Sequence, residues 1–344
     1  MHFEGRVGEL LRAVTNQWLL VAPDANPAML EMFADRDTRP YRFMVPWAGE
    51  FAGKYLVSAV QVLRATGDAD LRAYLRAFVA RLVALQGDDG YLGPWPPGCH
   101  LTGRAPNAQF GHDTWDAWGH YHVMLGLILW HDETGDAAAL GAARGIGDLL
   151  CDRFLGDVAA RLVDTGETDK NLAPVHALAM LHARTGEGRY LALAEQLVAE
   201  FSATGEGGEP LAGDWLNQAL AGRAFYEMPQ PRWESLHPIM ALAELATLTG
   251  NADYREAFER IWWSIARNDR HNNGGFSTGE RATGNPFAPG AIETCCTIAW
   301  LALSVEMLKL TGDPRVADEI EASTLNSVLG MHSPTGRWAT YNTP

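Results

Sequence analysis

Residues 55–86 read "YLVSAVQVLRATGDADLRAYLRAFVARLVALQ", and the reading of this stretch decides the fold. Apolar residues recur at helical spacing on both sides of Thr66-Gly67-Asp68, so two amphipathic helices joined by a tight turn are predicted. Gly67 can take the left-handed backbone that closes a helix, and the acid after it can cap the next one. The same signature returns in "VMLGLILWHDETGDAAALGAARGIGDLL", "VHALAMLHARTGEGRYLALAEQLVAEF", "PIMALAELATLTGNADYREAFERIWWSIA" and "LALSVEMLKLTGDPRVADEIEASTLNSVL". Each unit, centred on Gly135, Gly186, Gly250 or Gly312, is predicted to be a helical hairpin.

The five glycines are 68, 51, 64 and 62 residues apart, wider than the periods of thin solenoids. Long connections rich in Gly, Pro, Trp and Asp separate the hairpins, among them "FSATGEGGEPLAGDW" and "NDRHNNGGFSTGERATGNPFAPG". Short turns at one end and long polar loops at the other predict an all-α toroid of hairpins. That is an (α/α)6 barrel over residues 1–330, with its site at the long-loop mouth. The N-terminal stretches "RVGELLRAVTNQWLL" and "NPAMLEMFADRD" supply the sixth pair; a plain helical scaffold is the competing reading. Residues 331–344 are expected to begin a β segment, because "GRWATYNTP" alternates like a strand. An isolated strand is unstable, so this one either continues past Pro344 or docks onto an earlier element.

Composition narrows the function classes. The 344 residues are 47% hydrophobic and 20% charged, with no apolar run near the length a membrane span needs. The opening "MHFEGRVGELLRAVTN" lacks the pattern of a secretory signal, and a cytoplasmic location is expected. Cys99, Cys151, Cys295 and Cys296 are too few and too unevenly placed for a disulfide framework. A formal charge of -15 disfavours nucleic acid and anionic membranes as partners. A neutral ligand fits better, and a homodimer stays open. Twelve tryptophans, many beside polar residues, suit sugar rings, though buried core rings are the plainer account.

Several clusters carry candidate chemistry. In "AIETCCTIAW" at 291–300, Glu293 and Cys295 offer a carboxylate and a thiol at the start of an apolar helix. Both are accepted zinc ligands, of which zinc wants four, and a helix N-terminus favours the thiolate. Joint ligation is easier if Glu293 lies just before the helix, since positions two apart on a helix diverge. The alternative is a pair of small buried cysteines. Glu280 stands thirteen residues earlier in a Gly- and Asn-rich loop, a candidate acid for glycosidic chemistry or a solvated partner of Arg281. In "HDTWDAWGHYH", Trp115, Asp116, His120 and His122 are candidate substrate contacts, because residues four apart share a face. A satisfied, partly buried histidine is the rival account for either one. Glu234 and His237 in "RWESLHP" are spaced to bond a sugar hydroxyl. Glu50 either faces the ring interior or pairs with Lys54 at i+4.

The stretches "PWAGEFAGKYLVSAV", "WDAWGHYHVMLGLILWHDETGD", "NNGGFSTGE", "IETCCTIAW" and "TGDPRVADEIEASTLNSVLG" resemble glycoside hydrolase family 127, the β-L-arabinofuranosidase family, from about Trp18 onward. The resemblance implies an (α/α)6 catalytic barrel followed by β-sandwich domains, and a zinc ion held by one glutamate and three cysteines. Glu293 and Cys295 match two of those ligands, and Glu280 matches the general acid/base. The other two ligands are a downstream Cys-Cys pair that includes the thiolate nucleophile. The sequence reaches Pro344 before any such pair, so it reads as the N-terminal part of a longer enzyme or as a truncated product. His122 falls on a sugar-contacting histidine of some members, whereas Asn171 and Met240 stand where others carry histidine.

The expectation is therefore a retaining, zinc- and cysteine-dependent glycosidase acting on L-arabinofuranosides or related plant-polysaccharide sugars. The rival readings are a metal-independent sugar epimerase or unsaturated-uronide hydrolase on the same barrel, and a non-catalytic sugar-binding barrel.

Overall fold

The structure, a computed structural model, describes residues 3–156 and 160–343. All five predicted hairpins are present: Glu50–Thr66 with Ala69–Val83, Asp116–Thr134 with Ala137–Phe154, Pro174–Thr185 with Gly188–Glu200, Leu236–Thr249 with Ala252–Asn268, and Thr294–Thr311 with Pro314–Ala322. The turn glycine in each has φ between 64° and 74°, the left-handed region that disfavours any residue with a Cβ. The residue after it caps the next helix: Asp68 accepts from the Leu71 N–H at 2.9 Å, and Asn251 from the Asp253 N–H at 2.9 Å.

The threonine before each glycine has its own reason to be there. Its hydroxyl donates to the carbonyl four residues back, as Thr66 does to Val62 and Thr249 to Leu245. The same oxygen accepts from the backbone N–H two residues on, at Asp68 and Asn251. One side chain thus satisfies an orphan carbonyl and an orphan N–H at the point where the helix ends.

The chain folds as two compact units. The first holds residues up to Glu167, Met180–Leu193 and Pro334–Trp338; the second holds Thr168–Ala179, Ala194–Ser333 and the residues from Ala339 on. In the first unit, helices Gly5–Val14 and Ala28–Ala34 precede the first hairpin. Its central contact is between helices Glu50–Thr66 and Asp116–Thr134, whose backbones touch at Gly53. A Cβ there would sit 2.3 Å from the His122 carbonyl carbon, so only glycine permits this approach. Leu56, Ala59, Val60, Leu63, Val123 and Leu127 are fully buried beside it.

In the second unit the core centres on Trp262 and Trp300, whose rings stack with centroids 5.2 Å apart. The Trp262 indole N–H donates to Ser304 Oγ at 3.0 Å, so a buried polar tip finds its partner. Helix Thr294–Thr311 is long and apolar enough to cross a membrane by composition alone, but its Cys296, Ala299, Trp300, Leu303 and Met307 are buried. The end of the chain docks onto an earlier element, as one of the two expectations had it. Strand β2 (Asn342–Thr343) pairs antiparallel with strand β1 (Ile292–Glu293), with Ile292 opposite Thr343 and Glu293 opposite Asn342.

Candidate active site

In the second unit, four short segments lie side by side and carry the charged residues of interest. Residues 231–233 pair with 280–282: the Ala282 N–H donates to the Pro231 carbonyl at 2.7 Å and the Trp233 N–H to the Glu280 carbonyl at 3.2 Å. The same loop meets β1 through a Thr278–Ile292 bridge, and β1 meets β2. Tyr341 and Thr340 then tie into the next helix. The Thr294 N–H donates to the Tyr341 carbonyl at 2.8 Å, and the Thr294 hydroxyl to the Thr340 carbonyl at 2.7 Å.

This ribbon places Glu280 and Glu293 together, hydrogen-bonded to each other. They border a cavity of about 480 Å³ lined also by Thr278, Gly290, Tyr341 and Asn342. Glu280 is held at φ 67°, a left-handed backbone that costs a non-glycine residue energy and recurs at functional sites. Glu293 precedes helix Thr294–Thr311 in extended conformation, φ -70° and ψ 138°, just before the helix proper. The Tyr341 hydroxyl donates to Glu293 Oε1 at 2.6 Å, and Cys295 hydrogen-bonds the same carboxyl.

The environments push the two carboxyls apart. Burial drives Glu293 up and adjacent Glu280 raises it further, against the bonds from Tyr341 and Cys295. Burial pushes Glu280 up as well, but the bond from Glu293 and the guanidinium of Arg232 outweigh it and hold Glu280 below the ordinary carboxylate value. Two carboxyls in contact disfavour ionising together, and the opposite shifts make Glu280 the readier of the two to ionise.

Arg232 was not foreseen, and it organises the cluster. Its Nη2 contacts Glu280 Oε2 at 2.6 Å and Glu234 Oε1 at 2.8 Å, while its Nε reaches Glu234 Oε2 at 3.0 Å and Asp169 Oδ2 at 3.1 Å. Lys170 closes the chain, with Nζ 3.0 Å from Asp169 Oδ1. Asp169 and Lys170 belong to the short, wholly buried helix Thr168–Asn171. The ion-pair partner of Glu280 is thus Arg232 rather than Arg281, because the backbone pairing of 231–233 with 280–282 turns Arg232 onto it. A readable signal existed: "TDKN" places two adjacent charges directly before the apolar run that opens with Leu172-Ala173-Pro174-Val175.

Glu234 is buried, and burial raises its carboxyl in spite of Arg232; the side chain anchors Arg232. His237 is buried in the first turn of its helix with its ring edge-on to Trp233, centroids 5.9 Å apart. Asn171 and Met240 are both buried. His271 Nε2 lies 3.1 Å from Thr278 Oγ1, and Cys296 is fully buried with its thiol pushed up by burial, which makes it a packing residue.

The first unit holds the other candidates. Asp116 accepts from the Tyr91 hydroxyl at 3.1 Å and from the Leu101 N–H at 2.7 Å, and His120 Nε2 accepts from the Leu92 N–H at 3.2 Å. Both side chains are almost completely buried and clamp the loop 91–101. The helical spacing does put them on one face, and that face meets a loop whose backbone N–H groups bond both side chains. His122 is buried, edge-on to Trp118 with centroids 4.4 Å apart. Trp115 is half-buried against Trp47. Glu50 pairs with Lys54 at 2.9 Å and also accepts from the Trp118 indole, so the i+4 reading holds.

For a metal, the donors suit zinc in kind. Carboxylate and thiol are hydrogen-bonded neighbours, but they are two where zinc takes four. Among the described residues no group of three or more His, Cys, Asp or Glu side chains is placed to hold an ion.

Residues 9–344 match the family described as β-L-arabinofuranosidase, GH127 catalytic domain. The chain belongs to GH127. It is 23% identical over 312 residues to the non-reducing end β-L-arabinofuranosidase of Bifidobacterium longum subsp. longum, a match covering 83% of this chain and 46% of that protein. Among solved structures, a GH127 β-arabinofuranosidase superposes with TM-score 0.77 at 19% identity, covering 100% of this chain and 55% of the other. A GH127 β-L-arabinofuranosidase from Geobacillus stearothermophilus T6 gives 0.73 at 20% identity, covering 98% and 57%. These superpositions show the fold, the (α/α)6 barrel class read from the hairpins. The chain spans about half the length of the GH127 proteins it matches.

Proposed function

We propose that this GH127 chain is the catalytic-domain portion of a retaining glycosidase acting on L-arabinofuranosides. The carrying observation is the hydrogen-bonded Glu280–Glu293 pair at the cavity, with Arg232 on one carboxyl and Cys295 on the other. Glu280, the more exposed of the two, would protonate the leaving oxygen and then take a proton from water. Arg232 stabilises the Glu280 carboxylate left behind once the proton has gone. Tyr341 orients Glu293 through its hydroxyl.

Glu293 and Cys295 would hold zinc together with donors from outside these residues. Bound zinc lowers the pKa of a thiol ligand and so activates a sulfur nucleophile. A reducing, cytoplasmic setting in a bacterial cell accords with four cysteines that are all free in the fold.

The test is hydrolysis of an aryl β-L-arabinofuranoside by the full chain and by Glu280→Gln, alongside zinc content by elemental analysis in the wild type and in Cys295→Ser. We expect Glu280→Gln to lose on the order of 10²–10⁴-fold in rate and Cys295→Ser to lose its zinc. Wild-type rates in Glu280→Gln would reject the assignment of the acid. Unchanged zinc in Cys295→Ser would reject the ligand assignment.

A further inference from the structure

In the first unit, the loop 104–115 is fastened to the segment 42–47 by its backbone. The Met44 N–H donates to the Asn107 carbonyl at 3.0 Å, the Gln109 N–H to the Met44 carbonyl at 2.8 Å, and the Trp115 N–H to the Pro46 carbonyl at 3.0 Å. Asn107 Nδ2 adds a bond to the Arg42 carbonyl at 2.7 Å. The fastening gathers three aromatic rings. Trp47 and Phe110 lie nearly parallel, 12° apart with centroids at 6.1 Å, and Trp47 and Trp115 are tilted by 41° at 5.0 Å.

Phe110 is 73% exposed, so burial does not explain its place. Its backbone has φ 54°, followed by Gly111 at 95° and His112 at 73°. Two non-glycine residues in the left-handed region are costly, and such strain persists where the surrounding structure imposes it, often at ligand clamps. Here it holds a large apolar ring out in water over a tryptophan. Polar groups rim the rings: Arg104 donates to the Gly111 carbonyl at 2.9 Å and lies 3.7 Å from Asp113, both side chains being mostly exposed.

We propose that Trp47, Phe110 and Trp115 form a stacking platform for the apolar face of a neutral sugar ring. Aromatic faces carry negative charge, and the C–H bonds on one side of a sugar ring are their complement. The rim of Arg104 and Asp113 can meet hydroxyl groups, and the chain's charge of -15 disfavours an acidic sugar. The proposal rests on the reading of the protein as carbohydrate-active, and it adds a binding surface that the Glu280 cluster does not contain.

The experiment is calorimetric titration of the full chain with arabinohexaose, repeated with Phe110→Ala, Phe110→Trp and Glu280→Gln. Circular dichroism and size-exclusion chromatography check the fold and the oligomeric state of each variant. Phe110→Ala is expected to bind about tenfold more weakly, and Phe110→Trp to stay within about twofold of the wild type. The tenfold loss is expected again when Phe110→Ala is combined with Glu280→Gln, because the platform contains no residue of the Glu280 cluster. Wild-type affinity in Phe110→Ala, or no binding by the wild-type chain, overturns the platform. So does a Phe110→Ala effect that appears as altered self-association with sugar affinity intact. The catalytic reading is scored separately: hydrolysis by Glu280→Gln would sink that reading while leaving a Phe110-dependent affinity standing.

Discussion

At the scale of single residues, Arg232 bears the most. It faces three carboxylates, and one of them, Glu234, is 1% exposed. Removing the guanidinium leaves that carboxylate buried without compensation, which costs more than the pair itself contributes. Arg232→Ala is expected to lose about 3 kcal/mol in urea unfolding, and adding Glu234→Gln should restore part of it. A double variant no more stable than the single one would show that Glu234 is not the stranded charge. Arg232 stayed unread because its key partner is 48 residues away, joined to it by a backbone pairing with no periodic signal. Glu280, Glu293 and Cys295 were legible through motif resemblance. The loop partners of Asp116 and His120 were not legible, because a polar helical face looks the same whether a ligand or a loop takes up its atoms.

At the scale of elements, the hairpins were almost wholly legible, since Thr-Gly followed by an acid or amide is a local code for stopping one helix and starting another. Asp136 shows how firmly the code is written: it accepts from the Ala138 and Ala139 N–H groups and from the Trp130 indole. Burial pushes its carboxyl up, but these three bonds outweigh that and hold it below the ordinary value. A depressed carboxyl contributes stability that is complete above its unfolded pKa and fades as pH falls through the lower folded one. Asp136→Ala should therefore cost about 1 kcal/mol at neutral pH, with the gap to wild type closing under acid. Thermal melts of both proteins from neutral to about pH 2 would show it; a gap unchanged at the acid end would rule the cap out as its source. The β ribbon was legible only on one side: "GRWATYNTP" reads as a strand and contains β2, whereas nothing marks β1 as its partner. β1 is two residues long, too short for alternation to register, and only its pairing with β2 defines it.

At the scale of the whole molecule, charge sets the company the protein keeps. With 42 acidic against 27 basic side chains, it should pass through a heparin column at low salt without delay; retention would point to a basic patch that the net charge conceals. The fold also fixes an order of events. Tyr341, which orients Glu293, and Asn342, which lies opposite it in the ribbon, follow the fifth hairpin, whereas Asp169 and Lys170 precede the third. A growing chain leaves the ribosome N-terminus first, so the hairpins can close while the carboxyl pair still lacks its tyrosine. The ribbon is thus laid onto hairpins that can already have closed, and Glu293 gains its orienting hydroxyl only once Tyr341 has been added.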